Sequence, residues 1–419
     1  MKFRIPSTFL ALFLVISVAA EQTKQGVSLE AAVAMALVNN PNVEQHRARA
    51  DSYSFLQEAA DALPAPAIRT GLMNVPIDTF SLDVEPMSQS LIGVRQHVPP
   101  RGVRKAASLR FTKQAEANQQ LARAENKKTI HATRTAWLTA NLHDHAIALN
   151  SQARELLANL NQIVRARYAA GEELQLAVLA AELEQSRLDS RLLDIERRKS
   201  DALENLKYLI GHTEALALDT TLPVWETVPL KRELLSALDR HPKVQAADSL
   251  IAAEIAQMSQ HEAENNPAWQ FDVSYGLRSG NHPNEQSRAD LASASVSVSV
   301  PWFAREQNQM RVSAARAKKV AAEQAKLVLL RNMRAEILRA YEDWETLTAQ
   351  HELLTETLVP QASSHAQAAL QAYQNKEGSY TEVLLSYVTE VETNLELHRV
   401  TIDRLQTWAK IDSLNGLTE

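Results

Sequence analysis

The sequence contains an internal repeat, and that repeat limits the possible folds more than any other feature. The segment ALVNNPNV, which contains Pro41, recurs as ALDRHPKV around Pro242, 201 residues later. Two more proline pairs keep the same offset: Pro66 with Pro267, and Pro100 with Pro301. Repetition at a fixed period indicates two copies of one structural unit. We therefore expect a first repeat over residues 21–210, a linker over 211–229 and a second repeat over 230–419.

The first 20 residues have the pattern of a signal peptide. Two basic residues, Lys2 and Arg4, precede an apolar run from Phe9 to Val18, and small residues follow it. That run is short for a membrane span, and the order basic, apolar, small is the order that export signals have. A buried N-terminal helix is the alternative, but it gives no reason for this order. The prediction is an exported chain whose mature form begins near Glu21.

Composition excludes several classes of protein. The chain has no cysteine, which rules out disulfides, thiolate metal sites and a lipid-anchored cysteine. Its 44 Lys and Arg and 50 Asp and Glu are interspersed, so there is no basic stripe for binding nucleic acid. Frequent Ala, Leu, Glu, Gln and Arg, with only ten glycines, favour long helices. After the signal sequence no apolar run reaches 18 residues, so no transmembrane helix is predicted in the mature chain.

Each repeat is predicted to contain the same series of elements. A helix of about 35 residues is followed by two strands, one very long helix, a glycine-containing turn and a returning helix. The predicted helices are Leu29 to Leu63, Gly102 to Ala170 and Glu173 to Ile210 in the first repeat, and Leu230 to Glu264, Ala304 to Asn375 and Thr381 to Leu414 in the second. Apolar residues spaced three and four apart in the returning helices are typical of coiled coils. Pro360 is expected to bend or break the second long helix.

Four strands are predicted within this helical pattern, at about 67–75, 89–98, 269–277 and 291–300. The last, LASASVSVSV, alternates between an apolar face and a hydroxyl face, which is the period of a strand. Such faces suit a barrel with lipid outside and water inside. Every backbone group in a bilayer must be paired, so the sheet must close, and four strands are too few to enclose a pore. Three copies supply twelve strands, which predicts a homotrimer in outer-membrane lipid.

These elements, in this order, resemble the TolC-like outer-membrane factors across nearly the whole mature chain. The resemblance implies a mainly helical fold with long helical hairpins in a coiled-coil barrel, and four strands per chain in a trimeric 12-stranded transmembrane β-barrel. Two segments, GLMNVPIDTFSLDVEPM from Gly71 and RYAAGEELQLAVLAAELEQSRLDSRLLDIERR from Arg167, are similar to the CzcC-type subunits of heavy-metal efflux pumps.

The function that this resemblance implies is a passive exit duct in the outer membrane of a Gram-negative bacterium. Its partners would be a periplasmic adaptor and an inner-membrane transporter of the resistance-nodulation-division class, and its cargo would be heavy-metal cations. An exit duct for drugs or for type I secretion stays open as an alternative, since selectivity lies mainly in the pump. A soluble periplasmic adaptor fits less well, because adaptors have one helical hairpin. No nucleophile constellation, metal motif or phosphate loop indicates an enzyme.

The resemblance places the periplasmic end of the duct at two helix turns, Tyr168 to Leu174 and Tyr373 to Glu382. Acidic side chains from three subunits would form rings there that attract cations, and the candidates are Glu172, Glu173 and Glu382. Solvated turn charges are the alternative. The same turns are expected to contact the adaptor through Gly171, Leu174, Gly378, Ser379 and Tyr380.

Glycines in these turns have a double role in that prediction. They allow another helical hairpin to approach closely, and they permit the positive φ that ends a helix. The second turn departs from the family pattern, because Lys376 stands in the expected place of the glycine and Gly378 lies two residues further on. Ala177 and Leu385 stand where the family has acids, so at most one acidic ring is supported.

Histidine is the remaining candidate for chemistry. His143 and His145 are the closest pair, but residues two apart on a helix point about 200° apart and cannot share one metal ion. Solvated histidines, no metal site and no cofactor are therefore predicted. Passage of a metal through a duct does not require a binding site in its wall.

Overall fold

The computed structural model describes residues 26–416, so the predicted signal peptide at residues 1–20 lies outside the described residues. The chain divides into two compact units. The helical unit comprises the described parts of Met1–Val43, Arg123–His241 and Arg331–Glu419, and the sheet unit comprises Glu44–Ala122 and Pro242–Leu330. Each unit therefore combines segments from both halves of the sequence.

Helices make up most of the described chain. They are α1 (Leu29–Val38), α2 (Pro41–Asp61), α3 (Val103–Ala169), α4 (Gln175–Ile210), α5 (Lys231–Ser236), α6 (Pro242–Ala263), α7 (Arg305–Leu353), α8 (Val359–Gln374) and α9 (Tyr380–Leu414). The ends of α3, α4 and α9 lie within two residues of the predicted ends. None of the helices in residues 26–416 is long and apolar enough to cross a membrane.

Prolines break the first helix of each half, and the prediction of two unbroken helices of about 35 residues was wrong. Helices α2 and α6 begin at Pro41 and Pro242. Proline has no N–H and disfavours helix in the residue before it, so it suits the first position of a new helix. In the first half the side chain of Asn40 also accepts from the amides two and three residues later, at 3.0 and 3.4 Å, which caps α2.

The prediction for Pro360 is confirmed. Helix α7 ends at Leu353, a π-helical turn covers Leu354–Leu358, and α8 follows with Pro360 as its second residue. A proline ring clashes with the carbonyl four residues earlier in an α-helix. The wider π turn moves that carbonyl away, which lets the chain remain helical on both sides of Pro360.

Four strands form one antiparallel sheet in the order β1 (Ala67–Met73), β2 (Gln89–Val98), β3 (Ala268–Leu277) and β4 (Leu291–Ser299). Val94 of β2 lies opposite Ile68 of β1 and Val273 of β3. Within the described chain β1 and β4 are each paired on one side only, so both edges of the sheet are open. Strand β1 ends two residues before its predicted end because Asn74 takes a left-handed conformation with φ 57°.

The segment 211–229, predicted as a linker, is anchored within the helical unit. Leu218 forms a parallel β-bridge with Val27, and the buried indole of Trp137 donates to the Val27 carbonyl at 2.9 Å. Further along the segment, Trp225 stacks on Trp408 of α9 with ring centroids 4.3 Å apart. These contacts tie the segment to both α3 and α9.

Candidate functional site

Two helix turns in the helical unit share one geometry. They join α3 to α4 and α8 to α9, and each has five residues between its helices. In the first, the amides of Gly171 and Glu172 donate to the carbonyls three and five residues earlier, at 2.9 Å each. The amides of Lys376 and Glu377 do the same in the second, at 3.1 and 2.9 Å. Both turns are therefore Schellman helix ends.

The second residue of each turn has a left-handed backbone, with φ 79° at Gly171 and 64° at Lys376. The prediction that Gly378 supplies the positive φ of its turn was wrong, because Lys376 does so. A Cβ on Gly378 would lie 3.1 Å from the Cβ of Ala372. The missing side chain at Gly378 therefore lets the turn fold back closely on the end of α8.

Side chains beside the two turns pack into one apolar cluster. Tyr373 and Tyr380 are buried, and their rings meet edge to face with centroids 6.0 Å apart. The guanidinium of Arg167 lies 4.4 Å from the centroid of the Tyr373 ring, in a cation–π contact. Burial raises the pKa of Tyr380 to about 12. Other members of the cluster are Leu160, Val164, Ala177, Val383 and Leu384.

This packing changes the role of Tyr380. Its side chain is only 1% exposed, so it is not presented to a partner and instead holds α9 against the α3–α4 hairpin. The other four predicted contact residues lie at or near the surface of the turns. Because the cluster draws on α3, α4, α8 and α9, the two turns are held as one structure.

The three predicted acidic residues lie in different settings. Glu172 is exposed, with a carboxylate oxygen 3.9 Å from Nε of Arg167, while Glu173 is half-buried. Glu382 is exposed, and its amide donates to the hydroxyl of Ser379 at 3.2 Å, so Ser379 caps α9. Serine followed three residues later by glutamate is the spacing of a capping box, a signal that the sequence analysis missed. The cap gives Ser379 a structural role of its own.

Exposed leucines extend from the first turn along α4. Leu174 is 73% exposed, and Leu176, Leu179 and Leu183 are each more than half exposed. The last three are spaced three and four residues apart, so they share one face of the helix. Only Leu174 was singled out from the sequence, although this spacing was visible there. Exposed apolar side chains grouped in this way are candidates for contact with another apolar surface.

The sheet has its apolar side chains on the exposed face. Phe271, Val273 and Tyr275 of β3 are 45%, 61% and 46% exposed, whereas Asp272 between them is 8% exposed. The predicted alternation is therefore present, but in the sense opposite to that of a sheet on a water-soluble core. An apolar face of this size is stable against lipid or another apolar surface.

The polar face of the sheet carries a charged group that sequence reasoning did not find. The carboxylate of Asp272 on β3 accepts a hydrogen bond from Nη1 of Arg69 on β1, at 2.6 Å. It accepts a second from Nε of Arg95 on β2, at 2.9 Å. Both guanidinium groups bond the same oxygen, Oδ2. Three strands are thus joined through a single carboxylate.

His145 also has a partner, which the prediction of solvated histidines did not include. Its ring stacks on His398 of α9, with centroids 3.9 Å apart. Burial, with the neighbouring His145, lowers the pKa of His398 to about 4. Among the residues that the structure describes, no group of histidine and acidic side chains is arranged to hold a metal ion.

Comparison with solved structures identifies the fold. The outer membrane protein VceC of Vibrio cholerae aligns at 17% identity over 92% of this chain and 95% of its own, with a TM-score of 0.76. The CmeC outer membrane channel of Campylobacter jejuni aligns at 12% identity over 93% and 86%, with a TM-score of 0.78. CusC, whose structures concern transmembrane channel formation, aligns at 15% identity over 92% of each chain, with a TM-score of 0.78.

The chain therefore has the fold of the outer-membrane channel proteins. Its residues 234–417, which make up most of the second half of the sequence, match the model of the family described as Outer membrane efflux protein. No curated protein matches the chain by sequence.

Proposed function

We propose that this protein is one subunit of a trimeric outer-membrane channel, the passive exit duct of a tripartite efflux pump. The observation that carries the proposal is the sheet with an exposed apolar face and two open edges. In lipid such edges must be paired, and β4 of one copy next to β1 of another pairs them both. Three copies give a closed sheet of twelve strands.

The two helix turns are the proposed contact with a periplasmic adaptor. Gly171 and Gly378 lack side chains, Ser379 is small, and Leu174 offers an exposed apolar side chain at the start of the strip on α4. An adaptor hairpin that covers this strip removes apolar surface from water. In this proposal the duct is passive, and the energy for export comes from an inner-membrane transporter of the resistance-nodulation-division class.

The aperture of the duct is proposed at the same turns. Glu172, Glu173 and Glu382 are the acidic candidates, repeated three times in the assembly. Glu172 and Glu382 are exposed, and the backbone of Glu382 is fixed by the Ser379 cap. Such rings would draw cations toward the entrance.

Heavy-metal cations are the proposed cargo, on the strength of the segments from Gly71 and Arg167 that are similar to CzcC-type subunits. A cargo of drugs or of secreted proteins is the competing reading. Deleting the gene and measuring growth on metal salts and on a panel of drugs separates them. Loss of tolerance to metals alone is expected, and loss of tolerance to drugs alone would remove the metal assignment.

The absence of cysteine allows a direct test of the assembly. Thr70→Cys on β1 and Ala294→Cys on β4 place one thiol on each edge strand. Val296→Cys, two residues along β4 on the same face, replaces Ala294→Cys if the two edges pair in a register shifted by two residues. Oxidation of outer membranes that contain the double variant should give a ladder ending at the trimer. Either single variant alone should stop at a dimer or lower. A chain that washes off membranes without detergent and never forms the trimer would refute the proposal.

A further inference from the structure

Charge on the polar face of the sheet is confined to one group. The four strands contain Arg69, Arg95 and Asp272 as their only Arg, Lys, Asp or Glu residues, and all three lie on the same face. Their neighbours on β4 are serines. One carboxylate shared by two guanidinium groups leaves a net charge of +1 on this face of each chain.

The sheet is built to hold this group in place. Arg95 lies directly opposite Asp272, but Arg69 lies opposite Gly93 and must cross β2 to reach β3. A Cβ at Gly93 would lie 2.7 Å from both the carbonyl oxygen of Val273 and the Cβ of Ser274. The position over β2 therefore stays open, and the Arg69 side chain extends across it to Asp272.

We propose that Arg69 and Arg95 make the inside of the assembled barrel selective for anions over cations. This rests on the proposed trimer, in which the apolar face meets lipid and the polar face lines the lumen. Three copies then place a net charge of +3 in one band, because the register fixes the group at one height on the sheet. Rings of charged side chains of one sign are the usual source of ion selectivity in pores.

The size of the barrel makes this band effective. Twelve strands about 4.8 Å apart and tilted by about 40° give a backbone diameter of roughly 24 Å. Arginine side chains extending inward from that wall lie within about 10 Å of the axis, which is the Debye length near 0.1 M salt. Permeant ions therefore pass within about one Debye length of the band, where its field is only partly screened. On this account metal ions cross the barrel most readily as neutral or anionic complexes.

A series of variants changes only the charge of the band. Asp272→Asn raises it to +2 per chain, Arg69→Gln lowers it to 0, and Arg69→Gln with Arg95→Gln lowers it to −1. The double change of both arginines to lysine keeps +1 and serves as the matched control. Each purified protein is placed in planar bilayers under a KCl gradient near 0.1 M, and the reversal potential gives the ratio of chloride to potassium permeability.

The permeability ratio should fall in the order of the charges, by about threefold or more between the first and last members of the series. The lysine control should stay at the wild-type ratio. Acidic residues at the helix turns are the same in every variant, so they shift all the permeability ratios alike and leave their order unchanged. A ratio that stays flat across the series overturns the anion-selective band. A wild-type protein that forms no channel overturns the proposed function instead.

Discussion

Lys376 holds a backbone conformation that favours glycine, and its replacement gives a clean measure of the strain in the α8–α9 turn. A side chain in the left-handed region costs about 1–2 kcal/mol. Glycine avoids that cost but loses about 0.5–1 kcal/mol more conformational entropy on folding. The net gain expected for glycine over alanine at this position is therefore about 0.5–1 kcal/mol.

Comparing Lys376→Gly with Lys376→Ala isolates this gain, since both remove the charge at the end of α8. The readout is amide hydrogen exchange in the turn, whose amides donate to the carbonyls of Tyr373 and Ala372. Opening should be about two- to fivefold rarer in the glycine variant.

Gly171 provides the mirror experiment in the other turn. No atom lies within 4 Å of a Cβ built there, so Gly171→Ala tests the backbone cost alone and should raise exchange by a similar factor. Equal exchange for glycine and alanine at residue 376 would refute the reasoning, because the hydrogen bonds of the two turns are the same.

Three further predictions concern other parts of the chain. Trp225→Ala removes the stack on Trp408, so it should lower the free energy of unfolding by about 2–3 kcal/mol and expose residues 211–229 to protease. Trp225→Phe keeps an aromatic ring at this position and should resist cleavage. Equal cleavage of the two variants would show that the stack does not anchor the segment. His398 has a folded pKa of about 4, below its unfolded value of 6.5, so the free energy of unfolding should fall as pH drops from 6.5 to 4. Because solvent partly screens this side chain, the expected loss is about 1–2 kcal/mol. His398→Gln should flatten that pH dependence in urea unfolding, and an unchanged slope would exclude His398 as its source. Gly93→Val should prevent trimer assembly in outer membranes, because a side chain there would clash with β3. Gly71→Val should assemble normally, because no atom lies within 4 Å of a Cβ at that position. Normal assembly of both variants would show that the close approach of β3 to Gly93 is not required.

The sequence was a good guide wherever a pattern is local. The period of two in LASASVSVSV located β4, and glycine and proline positions located the ends of the long helices. A break at Pro41 was missed because proline was taken only as a helix end, although it is also a favourable helix start. The S-x-x-E spacing at Ser379 was missed in the same way, since it was visible but not read as a cap.

Contacts between distant segments were beyond reach of such patterns. Arg69 and Asp272 are separated by 203 residues, and their meeting depends on the register of β2 against β3. A shift of that register by one residue would put Asp272 on the other face from its partners. Similarly, the stack of His145 on His398 depends on how α3 packs against α9, which no spacing within either helix reveals.

The charges at the turns and at the sheet explain why the net charge of the chain says little about its cargo. The charged residues in and beside the two turns sum to −2, whereas the polar face of the sheet carries +1. They are Arg167, Glu172, Glu173, Lys376, Glu377 and Glu382. Both are small against 44 basic and 50 acidic residues, most of which are spread over helix surfaces and screened by water and salt. Selectivity in the proposed duct therefore depends on where few charges are fixed, and Arg69 and Arg95 are fixed by a shared carboxylate rather than left free in solvent.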